Sequence, residues 1–263
     1  MMLPMKVVIL AGGLGTRMRE ETEFRPKPMV EIGGKPAIWH LMKLYANYGH
    51  TEFVICAGYK GEQIKNYFYN YRPLSLDFTI NLGEPNAVQF HGSHDEFDWK
   101  VTVVDTGLTT PTGGRVKAVE SFLGGETFMC SYGDSIAPIN LDDLIVSHRK
   151  RAKTATVTVT RPRSRFGVVE VDDSGAVLGF KEKPVSPELV SIGHFVFEPN
   201  VFDYLEDNSV LELEPVQKLA QENQLGAFEH RGFWQPMDTA HEFQALNLFY
   251  ENQTGPWASR TYN

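Results

Sequence analysis

The chain has 263 residues, 42% hydrophobic and 22% charged, enough to bury a substantial core in one large domain or two small ones. Its net charge of −8 and pI near 5.5 argue against a nucleic-acid partner held by a broad basic surface, so an anionic substrate must be met by a local basic pocket. No apolar run approaches the ~20 residues needed to span a bilayer, and no signal-peptide pattern opens the chain. Cys56 and Cys130 sit in apolar, strand-like runs and read as buried thiols of a reducing, cytoplasmic compartment, not as a disulfide or metal pair.

Residues 6–10 form a short apolar, β-branched run bounded by glycines, which reads as a buried strand. Gly12, Gly13 and Gly15 then let the backbone turn sharply, and bare amides in such a loop can cradle an anion. Arg17 and Lys27, the latter clamped between Pro26 and Pro28, add positive charge. Together they suit a nucleoside triphosphate, although a strand followed by a glycine-rich turn also occurs in α/β proteins that bind nothing there. Two familiar motifs are excluded. Met18 stands where the dinucleotide fingerprint wants its third glycine, and Thr16-Arg17 follows Gly15 where a P-loop wants lysine and a hydroxyl residue.

Residues 36–48 have Ile38, Leu41, Met42, Tyr45 and Tyr48 at helical spacing, with Gly49 as the stop. Residues 52–56 read as a strand. Residues 61–71 read as a helix whose Ile64, Tyr67, Phe68 and Tyr71 face the core, and 77–82 as a third strand. This alternation implies βαβ units, hence a parallel sheet with helices on both faces. Residues 86–99 break the rhythm. Their His91, His94, Asp95, Glu96 and Asp98 make a metal site conceivable, but a solvated loop or hairpin is the simpler reading. A helix follows over about 114–123, with Thr112-Gly113-Gly114-Arg115 in its N-terminal turn, where free amides favour an anion or a polar base edge.

Residues 127–131 are strand-like, and Asp134 follows directly at the strand end where α/β sheets bind ligands. A helix over 141–150, a strand over 155–160, a hairpin of 167–171 with 176–181, and a strand over 191–197 come next. Residues 211–222 read as a helix with Pro215 in its first turn. Short strands over 226–230 and 232–234 precede a final helix opened by Asp238-Thr239, with Phe243, Leu246, Phe249 and Tyr250 inward. The fold class is α/β: a Rossmann-like, mostly parallel (mixed) sheet flanked by helices, with a small β-rich elaboration in the second half. One domain covers 1–257, and 258–263 form a C-terminal tail.

The segments 11–17 (AGGLGTR) and 26–29 (PKPM) resemble the signature of sugar-1-phosphate nucleotidylyltransferases. The stretches 20–22, 30–36, 104–107, 112–115, 132–134 and 232–239 (GFWQPMDT) narrow this to a resemblance to the glucose-1-phosphate cytidylyltransferase branch, over about residues 5–257. The resemblance implies CTP and a sugar 1-phosphate as substrates, CDP-sugar and pyrophosphate as products, Mg²⁺ as cofactor and a homo-oligomer, with no nucleic-acid or membrane partner. It implies Arg17 and Lys27 as catalytic cations, and Asp134 and Asp238 as the metal carboxylates. The nucleotide would meet Leu10, Ala11, Gly12, Gly13, Gly15, Thr16, Arg17, Glu21, Lys27, Gly114, Arg115 and Asp134, and the acceptor Tyr132, Glu182, Lys183, Gly193 and His194. From the residues alone, Asp238 could equally cap the last helix, Glu21 could be a solvated loop glutamate and His194 a packed structural histidine.

The implied chemistry needs cations and carboxylates, not a Ser/His/Asp array. A phosphate monoester with a second pKa of about 6 is already largely ionised at neutral pH, so the task is to position two polyanions and stabilise the leaving group. One stretch departs from the branch. Ser191-Ile192-Gly193-His194 stands where an Ile-Asn-Gly-Gly type of sequence is expected, so Ile192 replaces an asparagine and His194 a glycine. Ser135 also replaces a glycine after Asp134. The acceptor half is thus altered, which leaves open another sugar phosphate or small phosphate. A uridylyl or thymidylyl enzyme and a non-catalytic nucleotide-sugar-binding regulator are the rival readings.

Overall fold

A computed structural model describes residues 3–15, 22–84 and 87–257. A seven-stranded sheet forms its centre, its strands running in spatial order over 225–229, 155–160, 190–197, 128–132, 7–11, 52–57 and 100–105, while β2 (Glu31–Ile32) and β3 (Lys35–Pro36) pair separately. β1 (Val7–Ala11) lies between β4 (Glu52–Ala57) and β8 (Phe128–Tyr132), parallel to both, and β4 pairs in parallel with the edge strand β7 (Lys100–Asp105). β13 (Val190–Phe197) runs antiparallel to β8 and to β10 (Ala155–Thr160), which pairs in parallel with β14 (Leu225–Glu229).

β1 is buried at all five positions because helices cover both faces of the sheet. Val7, Ile9 and Ala11 join one core cluster with α1 (Ala37–Ala46), α2 (Gly61–Tyr69) and α5 (Leu141–Arg151) through Ile38, Leu41, Tyr45, Ile64 and Leu144. Val8 and Leu10 join the opposite cluster, with Val116 of α4 (Thr112–Ala118) and Leu219 of α6 (Glu214–Gln221). This alternation follows from the two-residue period of a strand, and each fully buried aliphatic side chain contributes about 1.5–3 kcal/mol. A third cluster of Ile32, Leu44, Ile136, Met237, Leu246 and Trp257 anchors the last helix, α7 (Ala240–Glu251).

Residues 77–82 were expected to extend the central sheet and do not. β5 (Asp77–Ile80) pairs antiparallel with β6 (Val88–His91) in a separate hairpin, and all four β5 residues are exposed. Its Asp-Phe-Thr-Ile alternation lacks the continuous apolar character of a strand covered on both sides. The place at the sheet edge belongs to β7, which the periodicity reading did not identify. Helix 61–71 is split: α2 ends at Tyr69, and a short helix, α3 (Tyr71–Ser75), follows. The strand expected at 232–234 is displaced to β15 (Gln235–Pro236), and Pro215 occupies the first turn of α6 as expected. The hairpin of β11 (Val168–Val171) and β12 (Val177–Lys181) forms as expected, with its side chains largely exposed. Cys56 and Cys130 are buried free thiols on β4 and β8, the two strands that flank β1. Residues 258–263 lie outside the described residues.

α4 fits only because two of its residues lack side chains. A Cβ on Gly114 would stand 2.0 Å from the Asp207 carbonyl oxygen, and one on Gly113 2.8 Å from that of Ser209. The Gly114 N–H donates to the Ser209 carbonyl at 3.1 Å, so it is not free for an anion. Gly114→Ala must push backbone apart and is expected to destabilise the fold by about 3 kcal/mol, read as a lower denaturation midpoint at unchanged slope, while Gly13→Ala, where a Cβ meets nothing within 4 Å, is expected to leave the midpoint in place.

Candidate active site

The glycine turn leaves β1 at its C-terminal end, where parallel sheets present their ligand crevices. A cleft of about 360 Å³ opens there, lined by Leu10, Ala11, Gly12, Gly13, Gly15, Lys27, Pro28, Thr110–Thr112, Arg115, Tyr132, Asp134 and Asp238.

The charged centre of this cleft is a single lysine held between two carboxylates. Lys27 Nζ donates to Asp134 Oδ2 at 2.8 Å and to Asp238 Oδ1 at 2.7 Å. Lys27 begins a one-turn 3-10 helix, Lys27–Met29, between Pro26 and Pro28, and is only 9% exposed. Burial opposes its charge, but the fields and hydrogen bonds of Asp134 and Asp238 outweigh burial and raise its pKa above the ordinary lysine value. The ammonium is therefore fully charged across the physiological range.

Asp134 and Asp238 are 104 residues apart in sequence, and local pairing brings them together. β9 (Ser135–Ile136) runs antiparallel to β15, with Ser135 opposite Pro236, and Met237 N–H donates to the Asp134 carbonyl at 3.0 Å. Asp238 does not cap α7. Thr239 does, in a reciprocal capping box with Glu242, and Glu242 Oε2 also accepts the Asp238 N–H at 2.9 Å. That box fixes the backbone that aims the Asp238 carboxylate.

Arg115 lines the cleft as a brace. Its guanidinium donates to Thr106 Oγ1 at 2.7 Å and to the carbonyls of Gly107, Gly12, Ala57 and Leu108. A Cβ on Gly12 would stand 2.1 Å from its terminal nitrogen. One buried side chain thus ties the glycine turn to the ends of β4 and β7. Thr22 closes the turn by donating to the Gly15 carbonyl at 2.9 Å. Thr16, Arg17 and Glu21 lie outside the described residues. Gly114 lies behind the cleft, packed on residues 207–209, so the expectation of a nucleotide contact from its amide is corrected.

Tyr132 also lines the cleft, and its buried hydroxyl has no hydrogen-bond partner among the described residues. Gly193, with φ of +76°, lies flat against the Tyr132 ring. His194 is placed in the core instead. It is 1% exposed, and its Nδ1 lies 2.9 Å from Tyr45 Oη and 3.0 Å from Ser131 Oγ. Burial, with the field of His230, lowers its pKa to about 3, so the ring is neutral. The expectation that His194 meets the acceptor is therefore corrected: a ring buried between Tyr45 and Ser131 does not reach the cleft. Ile192 is likewise buried, in the core cluster beneath the sheet. Glu182 and Lys183 end the exposed hairpin, with side chains about two-thirds exposed and 3.8 Å apart, and neither lines the cleft. Sequence reasoning missed Thr110 and Pro111 as lining residues; the short polar stretch before the Thr-Gly-Gly-Arg turn was the available signal.

Residues 6–253 match the family described as Nucleotidyl transferase. The glucose-1-phosphate cytidylyltransferase of Salmonella typhi is 46% identical over 256 residues, covering 96% of this chain and 98% of that protein. The probable glucose-1-phosphate cytidylyltransferase of Bacillus subtilis is 42% identical, covering 96% and 99%. Among solved structures, HddC from Yersinia pseudotuberculosis superposes with a TM-score of 0.67 at 21% identity, covering 94% of this chain and 99% of that one, and so shares the fold. With the glycine turn, the lysine and the paired aspartates gathered in one cleft, and with these near full-length matches, the chain belongs to the nucleotidyl transferase family of enzymes.

Proposed function

We propose that the cleft transfers the cytidylyl group of CTP to the phosphate of a sugar 1-phosphate, with glucose 1-phosphate as acceptor, giving a CDP-sugar and pyrophosphate. The observation that carries this reading is the Lys27 ammonium held between Asp134 and Asp238 at the mouth of the glycine turn. The names of the relatives at 42–46% identity support the choice of CTP and glucose 1-phosphate. Burial of Ile192 and His194 supports the same acceptor, because these two departures then change core packing and not the cleft lining.

An acceptor phosphate oxygen attacks the α-phosphorus, a P–O bond forms, and the bond to the departing pyrophosphate breaks. The nucleophile is already ionised, so no side chain need remove a proton. Lys27, fixed and permanently charged, neutralises charge that builds on the phosphates, and the turn amides of Gly12 to Gly15 receive the triphosphate. Tyr132, whose ring lines the cleft, is assigned to the acceptor on resemblance. Asp134 and Asp238 would hold Mg²⁺. Their hard carboxylate oxygens suit it, they already share one cation, and a site of two carboxylates is normal where substrate phosphates and water complete the shell. Bound there, the metal supplies further neutralisation of the triphosphate. Arg17 is assigned the triphosphate clasp, and Glu182 and Lys183 the acceptor, on resemblance. Exposed Phe78, Ile80, Val88, Val169, Leu178 and Phe180 on the two hairpins support a homo-oligomer, and the two free thiols support a cytoplasmic location.

Pyrophosphate release with Mg²⁺ and a panel of nucleotides and acceptors tests the assignment. The expected result is turnover with CTP and glucose 1-phosphate, and little with UTP, dTTP, ATP or GTP; turnover restricted to another nucleotide or another acceptor would replace the substrate assignment. Lys27→Ala should lower kcat by at least 10²-fold, the scale of losing one preorganised electrostatic group, in a protein of unchanged circular dichroism. The raised Lys27 pKa fixes the sign of a linked stability effect. Its contribution is complete below the unfolded lysine pKa near 10.5 and is lost as pH rises through the higher folded value. The stability gap between wild type and Lys27→Ala should therefore be constant from pH 6 to 9 and shrink only in strong alkali.

A further inference from the structure

A second, larger cavity of about 1060 Å³ is lined in part by Gln235 and Pro236 of β15 and shares no lining residue with the catalytic cleft. Four arginines line it, Arg161, Arg163, Arg165 and Arg231, against two glutamates, Glu229 and Glu242, so the lining carries a formal excess of two positive charges in a chain whose net charge is −8. Three of these arginines alternate along Arg161-Pro162-Arg163-Ser164-Arg165. The segment is held extended by Ser164 N–H donating to the Pro184 carbonyl and Ser186 N–H donating to the Pro162 carbonyl, both at 2.8 Å, and an extended segment sends alternate side chains to one side. All three arginines are exposed to solvent, and like charges lined up along one side of an extended segment repel one another unless something of opposite sign offsets them.

The protein supplies only part of that offset. Glu229 is shared by Arg161, at 3.5 Å, and Arg231, at 3.3 Å. Arg165 pairs with Glu242 at 2.8 Å. Among the described residues Arg163 has no carboxylate partner. The indole N–H of Trp234, also in the lining, is buried without a hydrogen-bond partner among them. Guanidinium forks gathered on one cavity are the donor set for phosphate oxygens, and the Trp234 N–H beside them is a further donor left unused.

Glu242 connects this cavity to the cleft. Its Oε1 takes the Arg165 pair, while its Oε2 accepts the backbone N–H groups of Asp238 and Thr239. An anion that draws Arg165 away from Glu242 acts on the carboxylate that holds the Asp238 backbone. We propose that this cavity is a binding site for a phosphate-bearing small anion, separate from the catalytic cleft, and that its occupancy is coupled to the nucleotide site through Arg165, Glu242 and the Asp238 backbone. The coupling half rests on the nucleotide reading of the cleft; the binding half does not.

Calorimetry with inorganic phosphate as the probe, on full-length protein loaded with Mg²⁺ and CTP, tests both halves. One saturable phosphate site is expected, weakened at least tenfold in Arg163→Ala/Arg231→Ala and unchanged in Lys183→Ala. An unaltered dissociation constant in the double variant, or loss in Lys183→Ala alone, would overturn the site. Phosphate is also expected to shift the CTP dissociation constant several-fold in wild type and not in Arg165→Ala. A CTP affinity indifferent to phosphate in wild type would overturn the coupling. Absence of any CTP binding heat would count against the cytidylyl assignment and leave the phosphate titration, repeated without nucleotide, to decide the cavity.

Discussion

A lysine ammonium caught between two aspartates is the interaction on which the rest of the cleft depends. A buried lysine is expensive to take out of water, and two partly exposed carboxylates offset that cost only with short, well-aligned bonds. Here those bonds are 2.7 and 2.8 Å. Three distant parts of the chain must therefore meet within hydrogen-bond reach: the proline-clamped turn after β1, the end of β8, and the entry to α7. Such a cluster is a poor way to gain stability and a good way to fix charge in advance of a reaction that moves charge.

The surrounding framework serves that placement. The β9–β15 ladder sets the two aspartates side by side, and the Thr239–Glu242 capping box holds the backbone from which Asp238 projects. On the opposite wall, Arg115 spends its donors on backbone carbonyls, so its charge reaches the cleft from a rigid position. The arginine-lined cavity sits against the same capping box, through the second oxygen of Glu242. One glutamate thus stands between two basic environments, one within the active site's framework and one beyond it.

Much of this was legible in the sequence because its signals are local. The glycine turn after an apolar strand, Lys27 between prolines, Asp134 at a strand end and the 168–181 hairpin each need only a few neighbouring residues to be recognised. The failures have a common cause in tertiary context. Periodicity cannot tell a strand that joins the central sheet from one that pairs locally, so 77–80 was given the place that 100–105 occupies. Gly114 looked like an open amide donor because nothing in the sequence shows the 207–209 backbone packed against it. His194 looked like an acceptor contact because its place opposite Ser131 on β8, within reach of Tyr45, is invisible before the strands are paired. The meeting of Asp134 and Asp238 came from resemblance, and its physical cause is a two-residue ladder too short for periodicity to reveal.

The central claim is that Asp134 and Asp238 act as one cation-holding pair beside the triphosphate site. The most direct test is Mn²⁺ binding followed by electron paramagnetic resonance, with CTP present, in wild type, Asp134→Asn and Asp238→Asn. The account predicts one nucleotide-dependent site in wild type, weakened at least tenfold by either substitution, with the double variant little worse than either single one. Unchanged Mn²⁺ affinity in both single variants would contradict it.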